Sequence, residues 1–312
     1  MTDSTSPRGT NGERRADAGR GITIAYEQFG NPTGTPVLLI AGLGMQLHSW
    51  PDEFCELLVQ RGYRVIRFDN RDVGRSTHAD FPAPRPMAML RKRWHPSQYD
   101  LGDMAADAVG LLDALQIPRA HVVGISMGGM IAQTVAARYP ERVSSLTSIM
   151  STTGARRVGR PAFSTWRLMM AKPARDSAEF AELEVRMFRH IGSAGFAFDE
   201  SYVRDAAALA WERDPSNAAG VTRQLAAIIK SGDRTRELRG VTAPTLVVHG
   251  DRDRMVNPTG GASTEAAIRG ARLRTIRGMG HDLPRDAWPT LVHLIDEHIQ
   301  SALARSTDVS NS

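Results

Sequence analysis

Four short stretches of this chain carry the groups that acyl transfer needs: a nucleophile, a base, an acid and backbone donors for an oxyanion. The nucleophile candidate is Ser126, in Gly124-Ile125-Ser126-Met127-Gly128-Gly129. A serine presented where a strand turns sharply into a helix needs small neighbours on both sides, and this spacing supplies them. The Met127 N–H would point into the same space and donate to an oxyanion. Alone, Gly-x-Ser-x-Gly recurs by chance and is more often a helix cap than a nucleophile. Its weight here comes from Val122-Val123 before it and a small-residue helix after it.

A base that takes and returns a proton near neutrality is best supplied by histidine. Of the nine histidines, His281 stands out: it follows the last strand, in Gly278-Met279-Gly280-His281-Asp282-Leu283-Pro284, with glycines that let the ring reach the sheet edge. His249 lies inside a strand and reads as packed, His121 starts a strand, and His293 and His298 ride a terminal helix. His48 falls near the first loop, and His78, His95 and His190 have no favourable neighbours. The acid must come from just beyond a late strand, and His249-Gly250-Asp251-Arg252-Asp253 offers two. Asp251, nearer the strand, could simply bind turn backbone. Asp253 lies further out and is better placed to reach the His281 loop. A second oxyanion N–H is available at Leu43, in Ala41-Gly42-Leu43-Gly44, unless that is an ordinary strand-end turn.

These groups need a scaffold that gathers them. Val37–Ala41, Tyr63–Phe68, Val122–Ile125, Leu146–Met150, Thr245–His249 and Leu273–Ile276 are short apolar runs of strand type, and Ile22–Glu27 alternates like a half-buried strand. Helical spacing covers residues 51–60, 101–115, 127–138, 262–269 and 288–298. Strand-helix alternation predicts an α/β fold with a largely parallel sheet covered on both faces. From about residue 155 to 238 strands are missing and four helices are expected, at 162–171, 176–190, 199–213 and 218–231. Such an insertion would sit over the carboxyl ends of the strands, where α/β sheets bind ligands. The expected division is a flexible tail over 1–20, core over 21–153, helical cap over 154–238, core over 239–301 and a flexible tail over 302–312.

Composition narrows the alternatives. A single cysteine, Cys55, excludes an intrachain disulfide and a cysteine zinc site, and reads as a small buried hydrophobe. No apolar run is long enough for a membrane span, and the arginine-bearing N-terminal stretch has no signal-peptide apolar segment, so a cytoplasmic or at most peripheral protein is expected. The net charge of +5 is modest, and the basic runs form no nucleic-acid module. No metal or organic cofactor is called for.

Two stretches invite a surface role. Residues 81–95 combine prolines, methionines and the bases Arg85, Arg91, Lys92 and Arg93, which fits an entrance flap, a weak membrane contact or a plain surface loop. The cap opens with Arg156, Arg157, Arg160, Arg167, Lys172 and Arg175 before any acid returns at Asp176. Phe163, Trp166, Phe188, Phe196, Phe198, Tyr202 and Trp211 could line an acyl pocket or simply pack.

The chain resembles the α/β-hydrolase superfamily over about residues 22 to 300, and within it the aclacinomycin methylesterase-like group. The resemblance rests on Trp50-Pro51-Asp52-Glu53-Phe54, on Val65 to Thr77 with its Asp69-Asn70-Arg71-Asp72-Val73-Gly74-Arg75-Ser76 centre, on Ala120 to Gly128 and on Gly278 to Pro284. It implies an eight-stranded, mostly parallel sheet with a variable helical cap, and oxyanion donors at Leu43 and Met127. It also implies an acid at the last position of a Gly-x-x-Asp turn, here Gly250 to Asp253. Dehalogenases and epoxide hydrolases of this fold carry a carboxylate where this chain has Ser126, so hydrolysis of a small-molecule or lipid ester through an acyl-enzyme is the leading expectation. Thioesterase or lactonase activity, cofactor-free haloperoxidase or perhydrolase activity, and non-catalytic ligand binding are the alternatives.

Overall fold

A computed structural model describes residues 12–169, 172–215 and 218–310. Eight strands form one sheet: β1 Arg14–Asp17, β2 Thr23–Phe29, β3 Thr35–Ile40, β4 Tyr63–Phe68, β5 Ala120–Ile125, β6 Val143–Ile149, β7 Thr245–Gly250 and β8 Arg272–Ile276. Their order is β1-β2-β4-β3-β5-β6-β7-β8. β1 and β2 pair antiparallel with each other, as do β2 and β4, and every pairing from β4 to β8 is parallel. The expected α/β-hydrolase sheet is therefore the observed one.

Its central strands are apolar at consecutive positions because both faces are covered. Leu38 and Ile40 of β3 join one core with residues of the helices Leu101–Ala114 and Met127–Arg138. Val37 and Leu39 join the other, with Asp52–Val59 and Trp288–Ser310. Cys55 is fully buried in that second core. Burial pushes its thiol up to about 12, so it behaves as a hydrophobe.

Two boundaries differ from expectation. Arg14–Asp17, placed in a flexible tail, is an edge strand, with Arg14 opposite Tyr26 and Asp17 opposite Thr23. It shows no apolar alternation because it is exposed, and charges suit an unpaired edge. Residues 1–11 lie outside the described residues. At the other end the last helix runs on to Ser310, past both the expected stop at 298 and the tail expected from 302. Ala302 is buried and Leu303 packs on the core, so an established helix propagates through a polar sequence.

Between β6 and β7 lie the helices Phe163–Met169, Ser177–Ile191, Glu200–Arg213 and Ala218–Ser231, followed by the short Thr235–Leu238. The expected end of the first, at 170–171, falls outside the described residues. Among the described residues no helix is long and apolar enough to cross a membrane.

Candidate active site

Four loops leave the carboxyl ends of parallel strands and carry the candidate groups. Leu43 follows β3, Ser126 follows β5, Asp253 follows β7 and His281 follows β8. Ser126 has φ 53° and ψ −120°, a left-handed conformation that a side-chain-bearing residue adopts only when its surroundings enforce it. The enforcement is visible: the Ser126 N–H donates to Ile149 O at 3.0 Å, and Ser151 Oγ donates to Ser126 O at 2.8 Å. The flanking glycines are needed for close approach. A Cβ at Gly124 would lie 2.2 Å from Gly128 O, and one at Gly128 would lie 2.1 Å from Ile40 O.

The structure brings Ser126, His281 and Asp253 into one chain of hydrogen bonds. Ser126 Oγ lies 2.9 Å from His281 Nε2, and His281 Nδ1 lies 2.8 Å from Asp253 Oδ2. With Nδ1–H donating to the carboxylate, Nε2 is left to accept the serine proton. His281 is 9% exposed and Asp253 5%, so this chain of hydrogen bonds lies largely away from water. The other carboxylate oxygen, Asp253 Oδ1, accepts from the Met255 and Val256 N–H groups, each at 2.8 Å. Burial by itself would raise this carboxyl, but the imidazoles of His281 and His249 outweigh it and lower it from 3.8 to about 2.

His249 read only as a packed strand residue, and it is buried as expected. Its position beside the acid was missed. Nε2–H donates to Val256 O at 2.8 Å and also lies 3.4 Å from Asp253 Oδ2. The signal available in the sequence was its spacing, four residues before Asp253. Asp251 takes the backbone role: its Oδ1 accepts from Gly278 N–H at 2.6 Å, tying the acid loop to the start of the His281 loop.

The Leu43 loop abuts the turn at Ser126. A Cβ on Gly42 would lie 3.3 Å from the Ser126 Cβ. Its shape is set from two directions. Asn70 Nδ2 donates to Ala41 O at 3.0 Å, and the Gly44 N–H donates to Gln224 Oε1 at 2.9 Å, while Gln224 Nε2 donates to Arg71 O at 2.7 Å. The Asp-Asn-Arg-Asp stretch is thus a structural junction between core and cap. Asp69 accepts from the Leu47 and Arg75 N–H groups and pairs with Arg213, and Asp72 pairs with Arg223 at 2.7 Å and accepts from Tyr99 Oη at 2.6 Å.

The seven cap aromatics divide. Phe188, Phe196 and Phe198 line a cavity of about 620 Å³ that opens beside Asp253 and is also bordered by His190, Arg252 and Arg254. Trp211 packs on Phe180 with ring centres 5.7 Å apart, and Tyr202 lies under Arg285. Phe163 is 85% and Trp166 50% exposed. The 81–95 segment is anchored rather than free: Phe81 is buried, stacks on His95, and its carbonyl accepts from Arg223 at 3.0 Å. Only its short helix Pro86–Leu90 presents apolar surface, at Met87 and Leu90. One further carboxyl, Glu184, lies half-buried on the inward face of Ser177–Ile191, where burial alone raises it to about 7.

A family model described as the α/β hydrolase fold matches residues 35–285. The chain is 32% identical over 302 residues to a rhodomycin D methylesterase of Streptomyces peucetius, covering 90% of this chain and 96% of that protein. It is 25% identical over 275 residues to a non-heme chloroperoxidase of Burkholderia pyrrocinia, covering 84% and 90%. Among solved structures, an enol-lactonase from Burkholderia xenovorans superposes with TM-score 0.71 at 22% identity over 91% of this chain and 99% of that one, a likeness of fold.

Proposed function

The chain belongs to the α/β-hydrolase fold family, and on that premise we propose that it hydrolyses a carboxylic ester through an acyl-enzyme on Ser126. The observation that carries the reading is the unbroken relay from Ser126 Oγ through His281 to Asp253, at 2.9 and 2.8 Å. His281 Nε2 takes the hydroxyl proton as Oγ attacks the ester carbonyl, and Asp253 stabilises the imidazolium that forms. The Leu43 and Met127 N–H groups receive the developing oxyanion. Collapse of the tetrahedral species expels the alcohol, which takes the proton from His281. Water, deprotonated by the same ring, then releases the acid and restores Ser126.

The methylesterase relative supports a methyl ester as the substrate class. The test is hydrolysis of p-nitrophenyl and methyl esters by the wild type and Ser126→Ala. Loss of about 10⁴-fold or more in kcat is expected, and equal rates above background would sink the assignment. The chloroperoxidase relative favours a second reading in which hydrogen peroxide replaces water at the acyl-serine and yields a peracid. The same assay run with acetate and peroxide separates the two.

The outer face of the cap supports a weak contact with an anionic surface. Arg156, Arg157, Arg160, Arg167 and Lys172 are exposed around Phe163 and Trp166 and make no ion pair among the described residues. Exposed aromatics amid unpaired cations match the pattern of interfacial binding segments.

A further inference from the structure

The His281 loop does not hold itself in place. Gly278 to His281 are buried, and the partners of this loop come largely from the cap segment that follows helix Ser177–Ile191. The His281 N–H donates to Ile191 O at 2.8 Å, using a carbonyl that the end of the helix leaves without an internal partner. The Gly195 N–H donates to Gly278 O at 2.9 Å. The Gly280 N–H donates to Ser193 Oγ at 2.8 Å, and that hydroxyl in turn donates to Asp282 Oδ1. Contact is backbone to backbone: a Cβ at Gly280 would lie 2.3 Å from Gly192 O. The glycines before His281 therefore serve close approach to the cap as well as the turn.

We propose that Ser193 is a positioning residue for the base, bracketing His281 by accepting from the residue before it and donating to the residue after it. A hydroxyl does both at once through a single oxygen. A loop with glycines at 278 and 280, just before His281, has little conformational preference of its own there, so its geometry must be imposed from outside. Misplacement of a catalytic group by about 1 Å can cost about 100-fold in rate, and the Ser126–His281 contact at 2.9 Å is the one at stake. The inference rests on the ester-hydrolase reading. It adds that the cap, beyond covering the site, sets the position of the imidazole.

The experiment compares Ser193→Ala and Ser193→Thr with the wild type, using a p-nitrophenyl ester and a fluorophosphonate that labels Ser126. Active enzyme is titrated so that rates are per folded site. Ser193→Ala is expected to lower kcat and the labelling rate by about 10-fold or more with KM little changed, and Ser193→Thr, which keeps the hydroxyl, to recover most of the loss. Should Ser193→Ala not fold, Asp282→Asn and Asp282→Ala replace it: the amide oxygen still accepts from Ser193, so only the alanine variant should be slow. Wild-type kcat per active site in Ser193→Ala, or in Asp282→Ala where that pair is used, overturns the proposal. So does equal impairment of the hydroxyl-retaining and hydroxyl-lacking variants. Ser126→Ala is the control: if it remains active the ester-hydrolase reading fails, whereas an inactive Ser126→Ala beside an unimpaired Ser193→Ala removes this inference alone.

Discussion

The acid loop and the base loop both leave the carboxyl edge of the sheet, yet they are fastened by different parts of the molecule. Asp253 is held from within the core: two N–H groups of its own loop donate to the carboxylate, and the His249 ring, on β7, lies 3.4 Å from it. The His281 loop is held partly by Asp251 and Arg252 of the acid loop, but also across a boundary, by Ile191, Ser193 and Gly195 of the cap. The Asp253 carboxylate is therefore held within the core, whereas the His281 imidazole is carried on a loop that the inserted cap helps to fix. Electrostatic stabilisation gains most from donors and charges that need no reorganisation, which suits a core-fixed carboxylate. Seating the base on the cap makes its geometry depend on how the insertion sits.

The sharpest way to break this contrast is within the acid loop. Asp253→Asn should keep the packing but present an amide to His281 Nδ1, favour the wrong tautomer and lower kcat by about 10⁴-fold. Asp251→Asn, which only alters the bond to Gly278, should cost far less, and steady-state kinetics on both variants checks this. Equal losses would mean that Asp251 and Asp253 share the role. The acid side of the pH–rate profile follows from the same geometry. A carboxyl lowered from 3.8 to about 2 contributes stability that is complete above its unfolded value and is lost only as pH falls through about 2. Asp253 thus stays charged at every pH where the fold is useful, and activity lost on mild acidification must come from another group.

A smaller effect is expected in the cap. Glu184 is raised from 4.5 to about 7 by burial, so the folded chain keeps a proton that the unfolded chain has already released. Its contribution to stability falls as pH rises from about 4.5 to about 7 and stays lost above that. Glu184→Gln should therefore raise Tm by about 2–4 °C near pH 8 and leave it unchanged near pH 4. Thermal melts at the two pH values test this. A gain at both would point to packing instead of titration.

The smallest effect concerns the cap's outer face. Replacing Arg156, Arg157, Arg160 and Arg167 by glutamine should abolish co-sedimentation with anionic vesicles at low salt while leaving kcat on soluble esters unchanged. If kcat falls as well, the outer face is coupled to the His281 clasp and the cap works as one unit. No binding of the wild type to such vesicles would remove the surface contact altogether.

Much of this was legible in the order of residues. Buried parallel strands read as apolar runs, and β3, β5 and β7 each announced the loop that follows them. Gly-x-Ser-x-Gly was legible because a strained turn admits few residue types. β1 was not, because an exposed edge strand has no buried face and so no pattern. The C-terminal extent of Trp288–Ser310 was hidden for a related reason, since a helix can propagate through polar residues once its first turns are packed.

The sequence by itself put forward Ser126 as the candidate nucleophile, His281 as the candidate base, Asp253 ahead of Asp251 as the candidate acid, and the α/β scaffold, because each depends on local residue type and on chain order. Tertiary structure alone decided that the Asp251 carboxylate reaches Gly278, that His249 stands beside Asp253, and that Ser193 spans the His281 loop. Those contacts join residues on different loops and layers, and hydrogen bonds act over about 3 Å in space, whatever the distance along the chain.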